Sequence, residues 1–370
     1  MSTLLRSLAC ALVVTGVVLT GSAQGQAPAF KLGTFERNGT PFLGVVLDER
    51  LVIDLAAAHA AVTPPSRLPA PADMKALIAA YDGGIRDRIV EIVRSVRRDL
   101  TMQPPAYVHA LTAVKVLPPI MYPTTMMNVA VNYREHDIEM ARVRDGSPGQ
   151  TAPTAGGALP GTTSAPGIWE RRADDPRWNP FMFLKAPAAI VAHGEAVRLP
   201  PRRDRIEWEC ELGVVMGRPA TAVPMERAMD YVFGYTLEND MSDRGGRGDT
   251  RYGSDWLVTK NHDTFAPMGP FITPKEFVPD AGSLQIRFAL NGEVLQEGST
   301  NQMIHTIPEQ VAYATAILTL RPGDVIATGT VPGSGSARTP PILLKAGDQM
   351  ACTYEGIGTL SNPVVGAGAR

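Results

Sequence analysis

Acidic residues lead directly into an apolar strand in the segment Ile206–Val215 (IEWECELGVV). Side chains two residues apart on a strand share a face, so Glu209 and Glu211 are predicted to lie side by side. Two carboxylates entering a core destabilise it unless protons or a cation compensate their charge. Because Mg²⁺, Mn²⁺ and Ca²⁺ prefer carboxylate oxygens, the segment indicates a divalent-metal site. Glu207 shares this face, and an exposed acidic strand fits the spacing equally well, so spacing alone leaves both alternatives open.

A third acid follows the next apolar run. Tyr231–Leu237 is followed by Glu238, Asn239 and Asp240, and Arg244 lies four residues beyond Asp240. An aspartate at the end of a strand would suit an octahedral oxygen site. A turn or a helix cap is the commoner role for an aspartate in this position and stays open as the alternative.

One of the six histidines lies beside an acid in the segment Asn132–Met140 (NYREHDIEM). If this segment is helical, His136 and Glu139 are three positions apart and face one another. A carboxylate beside an imidazole fixes its tautomer and raises its basicity, which suits a general base acting on water. The alternative is a surface histidine next to a glutamate on a solvated helix.

Two further segments could line a cleft. Lys260 lies between an apolar run and the turn Pro267–Pro270, where an ammonium group can point inward, although a surface lysine is the simpler interpretation. The glycines of Pro322–Gly333 permit close backbone approach to a ligand, and Thr330 offers a hydroxyl there. An ordinary turn between strands is the alternative, and the spacing is not that of a phosphate-binding loop.

Taken in order, these segments resemble the fumarylacetoacetate hydrolase family. The matching segments, within about residues 115–365, are Asn132–Met140, Phe183–Lys185, Glu209–Val215, Phe233–Arg244, Lys260–Pro270, Asn291–Glu293, Pro322–Gly333, Gly347–Asp348 and Glu355–Leu360. The resemblance implies an α+β, mostly β fold, in which a small N-terminal α/β domain precedes a C-terminal mixed β-roll. It also implies a homodimer with the active site at the mouth of the roll.

The resemblance assigns roles residue by residue. It implies metal ligation by Glu209, Glu211 and Asp240, catalysis by His136, Glu139 and Lys260, and substrate binding by Arg244, Thr330 and Tyr133. Glu207 is thereby set aside. The expected cofactor is Mg²⁺, with Mn²⁺ or Ca²⁺ as alternatives.

The implied reaction is hydrolytic C–C cleavage of a 1,3-dicarbonyl, acylpyruvate-like acid through a metal-bound enolate. Isomerisation, decarboxylation or hydration of a 2-hydroxymuconate- or oxaloacetate-like acid is the alternative, since the same enolate serves each. A non-catalytic binding protein is a rival from another class, but the presence of all the matching residues argues against it.

The charge balance limits the class of partner, and the sequence pattern predicts the domain organisation. Lys and Arg number 35 against 37 Asp and Glu, which excludes the basic field that nucleic acid requires. Residues 24–112 are expected to form the small domain, with a hairpin at Phe42–Asp54 and helices over Asp73–Leu100 that break at Asp82–Gly84. Residues 113–370 then form the catalytic domain. Residues 147–166, rich in Gly, Pro, Ser, Thr and Ala and without a charge, are predicted to be a flexible insertion.

The first residues are typical of a secretory signal. Arg6 precedes the apolar stretch Leu8–Leu19, and small residues near Ala23 suit cleavage, so residues 1–23 are predicted to be removed from an exported, periplasmic or secreted protein. A retained N-terminal anchor is the alternative. The remaining cysteines, Cys210 and Cys352, are expected to be free, buried thiols, because a chain of this length does not need a bridge for its core.

Overall fold

A computed structural model describes residues 27–99, 104–145, 165–170, 175–249, 251 and 253–368. The predicted signal, residues 1–23, lies outside the described residues, as does the predicted insertion except for its last two positions. Among the helices that are described, none is long and apolar enough to cross a membrane.

The described ranges contain many short strands and few helices. The strands are β1 Lys31–Arg37, β2 Thr40–Leu47, β3 Leu51–Asp54, β4 Val108–Ala110, β5 Lys115–Leu117, β6 Met126–Val129, β7 Met182–Leu184, β8 Ile190–Val191, β9 Val197–Arg198, β10 Ile206–Glu207, β11 Cys210–Met216, β12 Val232–Asn239, β13 Ser242–Asp243, β14 Ala266–Pro274, β15 Gln285–Leu290, β16 Glu293–Ser299, β17 Val325–Thr330, β18 Gln349–Tyr354 and β19 Gly358–Val365. The α-helices are α1 Leu55–Ala61, α2 Met74–Ala80, α3 Arg86–Asp99, α4 Arg134–Asp145, α5 Trp256–Lys260 and α6 Ile307–Ile317. A π-helical turn covers Tyr81–Ile85, and 3₁₀ turns cover Leu111–Ala113, Pro187–Ala189, Met225–Tyr231, Lys275–Phe277, Thr300–Gln302 and Gly335–Ala337.

The predicted hairpin and the predicted break between helices are both confirmed. Strands β2 and β3 pair antiparallel, with Val45 opposite Ile53. Helix α2 begins after Asp73, whose carboxylate accepts from the Ala76 amide at 2.8 Å. Gly84 then adopts a φ of 113°, which a residue with a Cβ rarely tolerates, and the chain turns into α3.

A 12-stranded sheet forms the centre of the molecule, with the order β4-β3-β2-β1-β14-β12-β11-β17-β6-β7, while β5 pairs with β1 and β8 with β14. A five-stranded sheet, β16-β15-β18-β19-β9, packs on one face, and α1 to α3 pack on the other. The side chains of strand β11 alternate between the two faces of the large sheet. Leu212 and Val214 belong to the core between the sheets, whereas Val215 belongs to the core under the helices.

The strands of residues 24–112 are part of the same large sheet. Strand β1 pairs antiparallel with β14, with Leu32 opposite Ile272. The helices bury their apolar faces against that sheet, where Ile89 and Val93 share one cluster with Phe233. The N-terminal segment therefore covers the face of the large sheet that lies opposite the five-stranded sheet.

The expectation of two free thiols is wrong, because Cys210 and Cys352 form a disulfide. Their sequence separation of 142 residues gives no hint of contact. Packing of the five-stranded sheet on the large sheet brings β18 against β11 and places the two Cα atoms 5.4 Å apart. Strand alternation points Cys210 toward the second sheet, opposite in direction to the neighbouring acids Glu209 and Glu211.

We predict that Cys352→Ala lowers the free energy of unfolding by about 2–5 kcal/mol, because the bridge closes a long loop in the unfolded chain. Urea unfolding with and without dithiothreitol measures the effect. The reductant should lower wild-type stability to that of the variant and leave the variant unchanged. Equal stability of oxidised wild type and variant would show that the bridge contributes nothing.

Candidate metal and catalytic site

Three carboxylates meet where β11 and β12 lie side by side. The strands pair antiparallel with Cys210 opposite Asn239, so Glu209 and Asp240 lie at the same end, and the Asp240 amide donates to the Glu209 carbonyl at 2.8 Å. One ligand atom from each of Glu209, Glu211 and Asp240 lies within 4.8 Å of the others. All three residues are buried. The structure therefore brings together the three residues that were predicted as metal ligands.

Two buried lysines pair with Glu209 and Asp240. Lys260 ends α5, and its Nζ lies 2.7 Å from Glu209 Oε2, 2.6 Å from Asp240 Oδ2 and 2.7 Å from Ser242 Oγ. Lys185 forms an ion pair with the other oxygen of Asp240. Burial alone would lower the pKa of Lys260, but the charges of Asp240 and Glu209 raise it, so its ammonium group stays charged.

Lys185 was given no role by sequence reasoning. It belongs to a segment that carried the resemblance, and a lysine directly after the apolar strand β7 was the available signal. Glu238 was also missed. It is a buried acid within the apolar strand β12, and its Oε2 accepts from Asn128 Nδ2 at 2.9 Å.

The charges of this region are unbalanced in a way that fits a divalent cation. Five buried carboxyl groups face three cations, so ionisation of all five would leave two negative charges uncompensated; the acids are Glu207, Glu209, Glu211, Glu238 and Asp240, and the cations are Lys185, Arg244 and Lys260. The donor set consists of carboxylate oxygens, which hard divalent ions prefer. Charge, burial and donor type thus all fit a metal held by Glu209, Glu211 and Asp240.

The pKa shifts separate the acids into two kinds. Burial would raise the pKa of Glu209, but the charges of Lys260 and Arg244 hold it below its ordinary value. For Glu211, burial and then the charge of Asp240 raise the pKa well above its ordinary value. Burial and Asp240 raise the pKa of Glu238 in the same way. A cation beside Glu211 would replace a proton in compensating its charge.

Buried Glu207 and partly buried Arg244 form an ion pair at the edge of the cluster. Arg244 pairs with Glu207 through Nε and with Glu209 through a terminal nitrogen. The second oxygen of Glu207 accepts from the Ser336 amide. Glu207 is not one of the described acids whose ligand atoms lie within 4.8 Å of one another, so it is a partner of Arg244 rather than a third ligand in the strand pair. The predicted substrate-binding position, Arg244, thus lies directly against Glu209, a predicted metal ligand.

Helix α4 carries the predicted pair of His136 and Glu139. The His136 Nδ1 lies 2.7 Å from Glu139 Oε1, and both oxygens of Glu139 accept from the Gly333 amide at 3.0 Å. Since an ionised carboxylate only accepts hydrogen bonds, Nδ1 carries the proton and Nε2 is the basic nitrogen. That Nε2 faces the acid cluster, 4.0 Å from Glu209 Oε1.

Thr330 and Tyr133 are buried close behind the ligands. The Thr330 hydroxyl donates to the Cys210 carbonyl at 3.0 Å and accepts from Gln296 Nε2 at 2.9 Å, so its bonds support the backbone between the two glutamates. Tyr133 is completely buried in the core, and burial raises the pKa of its hydroxyl. Gly329 approaches too closely for a side chain, since a Cβ there would lie 2.8 Å from Asn132 Cβ, and its amide donates to Glu211 at 2.9 Å.

The profile of the C-terminal domain of fumarylacetoacetate hydrolase matches residues 125–365, which include every residue of this site. The chain belongs to the fumarylacetoacetate hydrolase family. A mitochondrial oxaloacetate tautomerase from Xenopus laevis is 40% identical over 187 residues, 50% of this chain and 58% of that protein. The human mitochondrial oxaloacetate tautomerase is 41% identical over 187 residues, 50% of this chain and 59% of that protein. The match thus covers less than two thirds of the length of these curated relatives.

Solved structures of the family show the same fold. A maleylpyruvate hydrolase from Sphingobium, in complex with manganese(II) and pyruvate, is 25% identical with a TM-score of 0.63 and covers 91% of this chain and 99% of its own. A 5-carboxymethyl-2-hydroxymuconate delta-isomerase from Mycobacterium smegmatis is 28% identical with a TM-score of 0.60 and covers 92% of this chain and 100% of its own. These neighbours support a metal-dependent enzyme and include both hydrolases and isomerases.

We predict that Glu211→Gln weakens Mn²⁺ binding at least about 100-fold, because it removes a ligand charge from the cluster. Glu207→Gln is the matched control. It keeps an oxygen for the Ser336 amide and should change Mn²⁺ affinity by less than about three-fold, while lowering stability through the lost pairing with Arg244. Isothermal titration calorimetry with Mn²⁺ measures both. Equal losses in the two variants would reject this choice of ligands.

Proposed function

We propose that this protein is a divalent-metal-dependent hydrolase that cleaves a C–C bond in a 1,3-dicarbonyl, acylpyruvate-like acid. The observation that carries the proposal is the His136–Glu139 pair facing the acid cluster. Its Nδ1 is engaged by Glu139, and its Nε2 is directed toward Glu209. A histidine held in this way suits the activation of water rather than metal ligation.

The metal, held by Glu209, Glu211 and Asp240, would supply Lewis-acid stabilisation of the negative charge that develops on the substrate oxygens. His136 removes a proton from water, and the resulting hydroxide attacks the distal carbonyl carbon. The bond between that carbon and the central carbon breaks, and its electron pair remains on the pyruvate fragment as an enolate. The proton taken by His136 returns to that fragment, so the products are pyruvate and a carboxylic acid.

Lysine and arginine provide the remaining positive charge. The Lys260 ammonium lies within 2.7 Å of Glu209 and Asp240, so it is placed to support the enolate charge in a buried site. Arg244 lies against Glu209 and is the group we assign to the substrate carboxylate. We choose Mg²⁺ or Mn²⁺ as the metal, and the manganese(II) complex of the Sphingobium hydrolase supports the second.

Tautomerisation of an oxaloacetate-like acid is the second candidate. The 40% identity to the Xenopus laevis oxaloacetate tautomerase favours it. Such a reaction needs the enolate and a proton carrier but no attack by water, so a single product retains all the carbon atoms. Product identification from acylpyruvates, oxaloacetate and hydroxymuconates, each with Mg²⁺, Mn²⁺ and Ca²⁺, separates the two reactions.

We predict that His136→Ala lowers kcat for an acylpyruvate by at least about 100-fold, because it removes the base that activates water. Mn²⁺ affinity should stay within about three-fold, because His136 is not a ligand. Glu139→Gln should give a smaller loss of kcat, since the histidine remains but its tautomer is no longer fixed.

Coupled assay of pyruvate release measures turnover, and calorimetry with Mn²⁺ measures binding in the same preparations. Unchanged turnover in His136→Ala would exclude the proposed role. A parallel loss of Mn²⁺ binding would instead make His136 a ligand.

We further propose that the protein is exported to an oxidising compartment and is a homodimer. The Cys210–Cys352 disulfide supports export, because such bonds persist mainly outside the cytosol. Thiol-trapping mass spectrometry of the protein from fractionated native cells tests the compartment, and native mass spectrometry tests the dimer. Reduced cysteines in a cytosolic fraction would reject export.

A further inference from the structure

Two aromatic side chains precede the two site lysines at the repeat distances of a strand and of a helix. On β7 and its continuation, Phe183 precedes Lys185 by two residues, so the two side chains share a face. On α5, Trp256 precedes Lys260 by four residues, so these side chains also share a face. Both lysines contact Asp240. Both aromatic residues are therefore directed to the same site by local geometry.

The aromatic side chains form one continuous surface, which we call the aromatic shelf and define as Phe181, Phe183 and Trp256. The rings of Phe183 and Trp256 are stacked with centroids 4.6 Å apart, and the ring of Phe181 lies 5.5 Å from that of Trp256. The Lys260 Nζ lies 5.4 Å from the centre of the Phe183 ring. The shelf thus begins one side chain away from the carboxylate cluster.

The shelf is held in place although it is open to solvent. Asn261 accepts from the Ala186 amide and donates to the Trp256 carbonyl at 3.0 Å, which joins the end of β7 to α5. Helix α5 begins after Asp255, whose carboxylate caps it. Phe181 nevertheless remains 43% exposed. An aromatic stack that is partly exposed, with Phe181 open to solvent beside a buried ionic centre, has apolar area available for a ligand.

We infer that the aromatic shelf binds the distal, apolar part of the substrate and selects 2-keto acids with a planar aromatic substituent at the fourth carbon. This inference rests on the proposed function for the anchoring of the keto-acid end. With that end at the cluster, the chain beyond the central carbon extends past Lys260 to the ring of Phe183. An aroyl group stacks there, whereas a methyl group leaves the rings of Phe183 and Trp256 in water.

Two keto acids without a second carbonyl separate binding from turnover. We expect Mn²⁺-loaded wild type to bind 2-oxo-4-phenylbutanoate about ten-fold more tightly than 2-oxopentanoate in calorimetric titrations. Trp256→Ala should reduce this ratio to about two or less, and Trp256→Phe should retain most of it because a stacking ring remains. Leu257→Ala is the matched control on the same helix, since Leu257 is 72% exposed and lies outside the shelf; it should keep the wild-type ratio.

The same proteins are then assayed with benzoylpyruvate and acetopyruvate. If neither is cleaved while the phenyl-bearing acid still binds more tightly, the proposed hydrolysis fails and the shelf stands. If benzoylpyruvate and acetopyruvate are both cleaved while 2-oxo-4-phenylbutanoate and 2-oxopentanoate bind equally tightly, the shelf is overturned and the hydrolysis stands. If Trp256→Ala still binds the phenyl-bearing acid about ten-fold more tightly, the shelf is also overturned. The same holds if a second copy of the chain buries the shelf and wild type binds both acids equally.

Discussion

Mutual repulsion among buried carboxylates is the constraint on which the site depends. Glu209, Glu211 and Asp240 lie within one small volume at the adjoining ends of two core strands, with Glu238 beside them. In the buried interior each unpaired charge destabilises the fold, and neighbouring carboxylates raise one another's pKa. Lys185, Lys260 and Arg244 arrive from three separate parts of the fold and compensate only part of this charge. The remainder is the physical basis for a divalent cation.

One loop links the metal ligands to the histidine base. The Gly329 amide donates to Glu211, and the Gly333 amide, four residues later, donates to Glu139. At Gly333 a Cβ would lie 2.2 Å from the Leu295 carbonyl oxygen, so no other residue fits without rearrangement. A displacement of this loop would therefore move both a metal ligand and the partner of His136. The positions of Glu211 and of the His136–Glu139 pair are thus connected through the backbone amides of one segment.

The relatives of this chain include a hydrolase, an isomerase and oxaloacetate tautomerases. Each of these reactions can place negative charge on a carbonyl oxygen as an enolate forms, so a cationic centre assists all of them. The acids therefore do not decide which reaction occurs. Under the proposed function, the reaction is decided by the group that activates water and by the surface that holds the distal part of the substrate, roles that we assign to His136 and the aromatic shelf.

Local patterns were enough for the elements and for part of the site. Alternation paired Glu209 with Glu211, the helical repeat paired His136 with Glu139, and Gly84 marked the break between two helices, because each depends on neighbours along the chain. Spacing alone did not reject Glu207 as a ligand; the family resemblance did so, and in the described structure Glu207 pairs with Arg244 and lies outside the group of three clustered acids.

Only the tertiary structure decided the contacts between distant segments. It showed that Lys185 reaches Asp240, that Glu238 is buried and accepts a hydrogen bond from Asn128, and that Cys210 meets Cys352 across 142 residues. Such contacts depend on how two sheets pack and on which strands become neighbours. Strand order and sheet packing arise from burial of the whole apolar surface, which no single segment records. The sequence by itself determined which acids share a face; the fold determined which charges surround them.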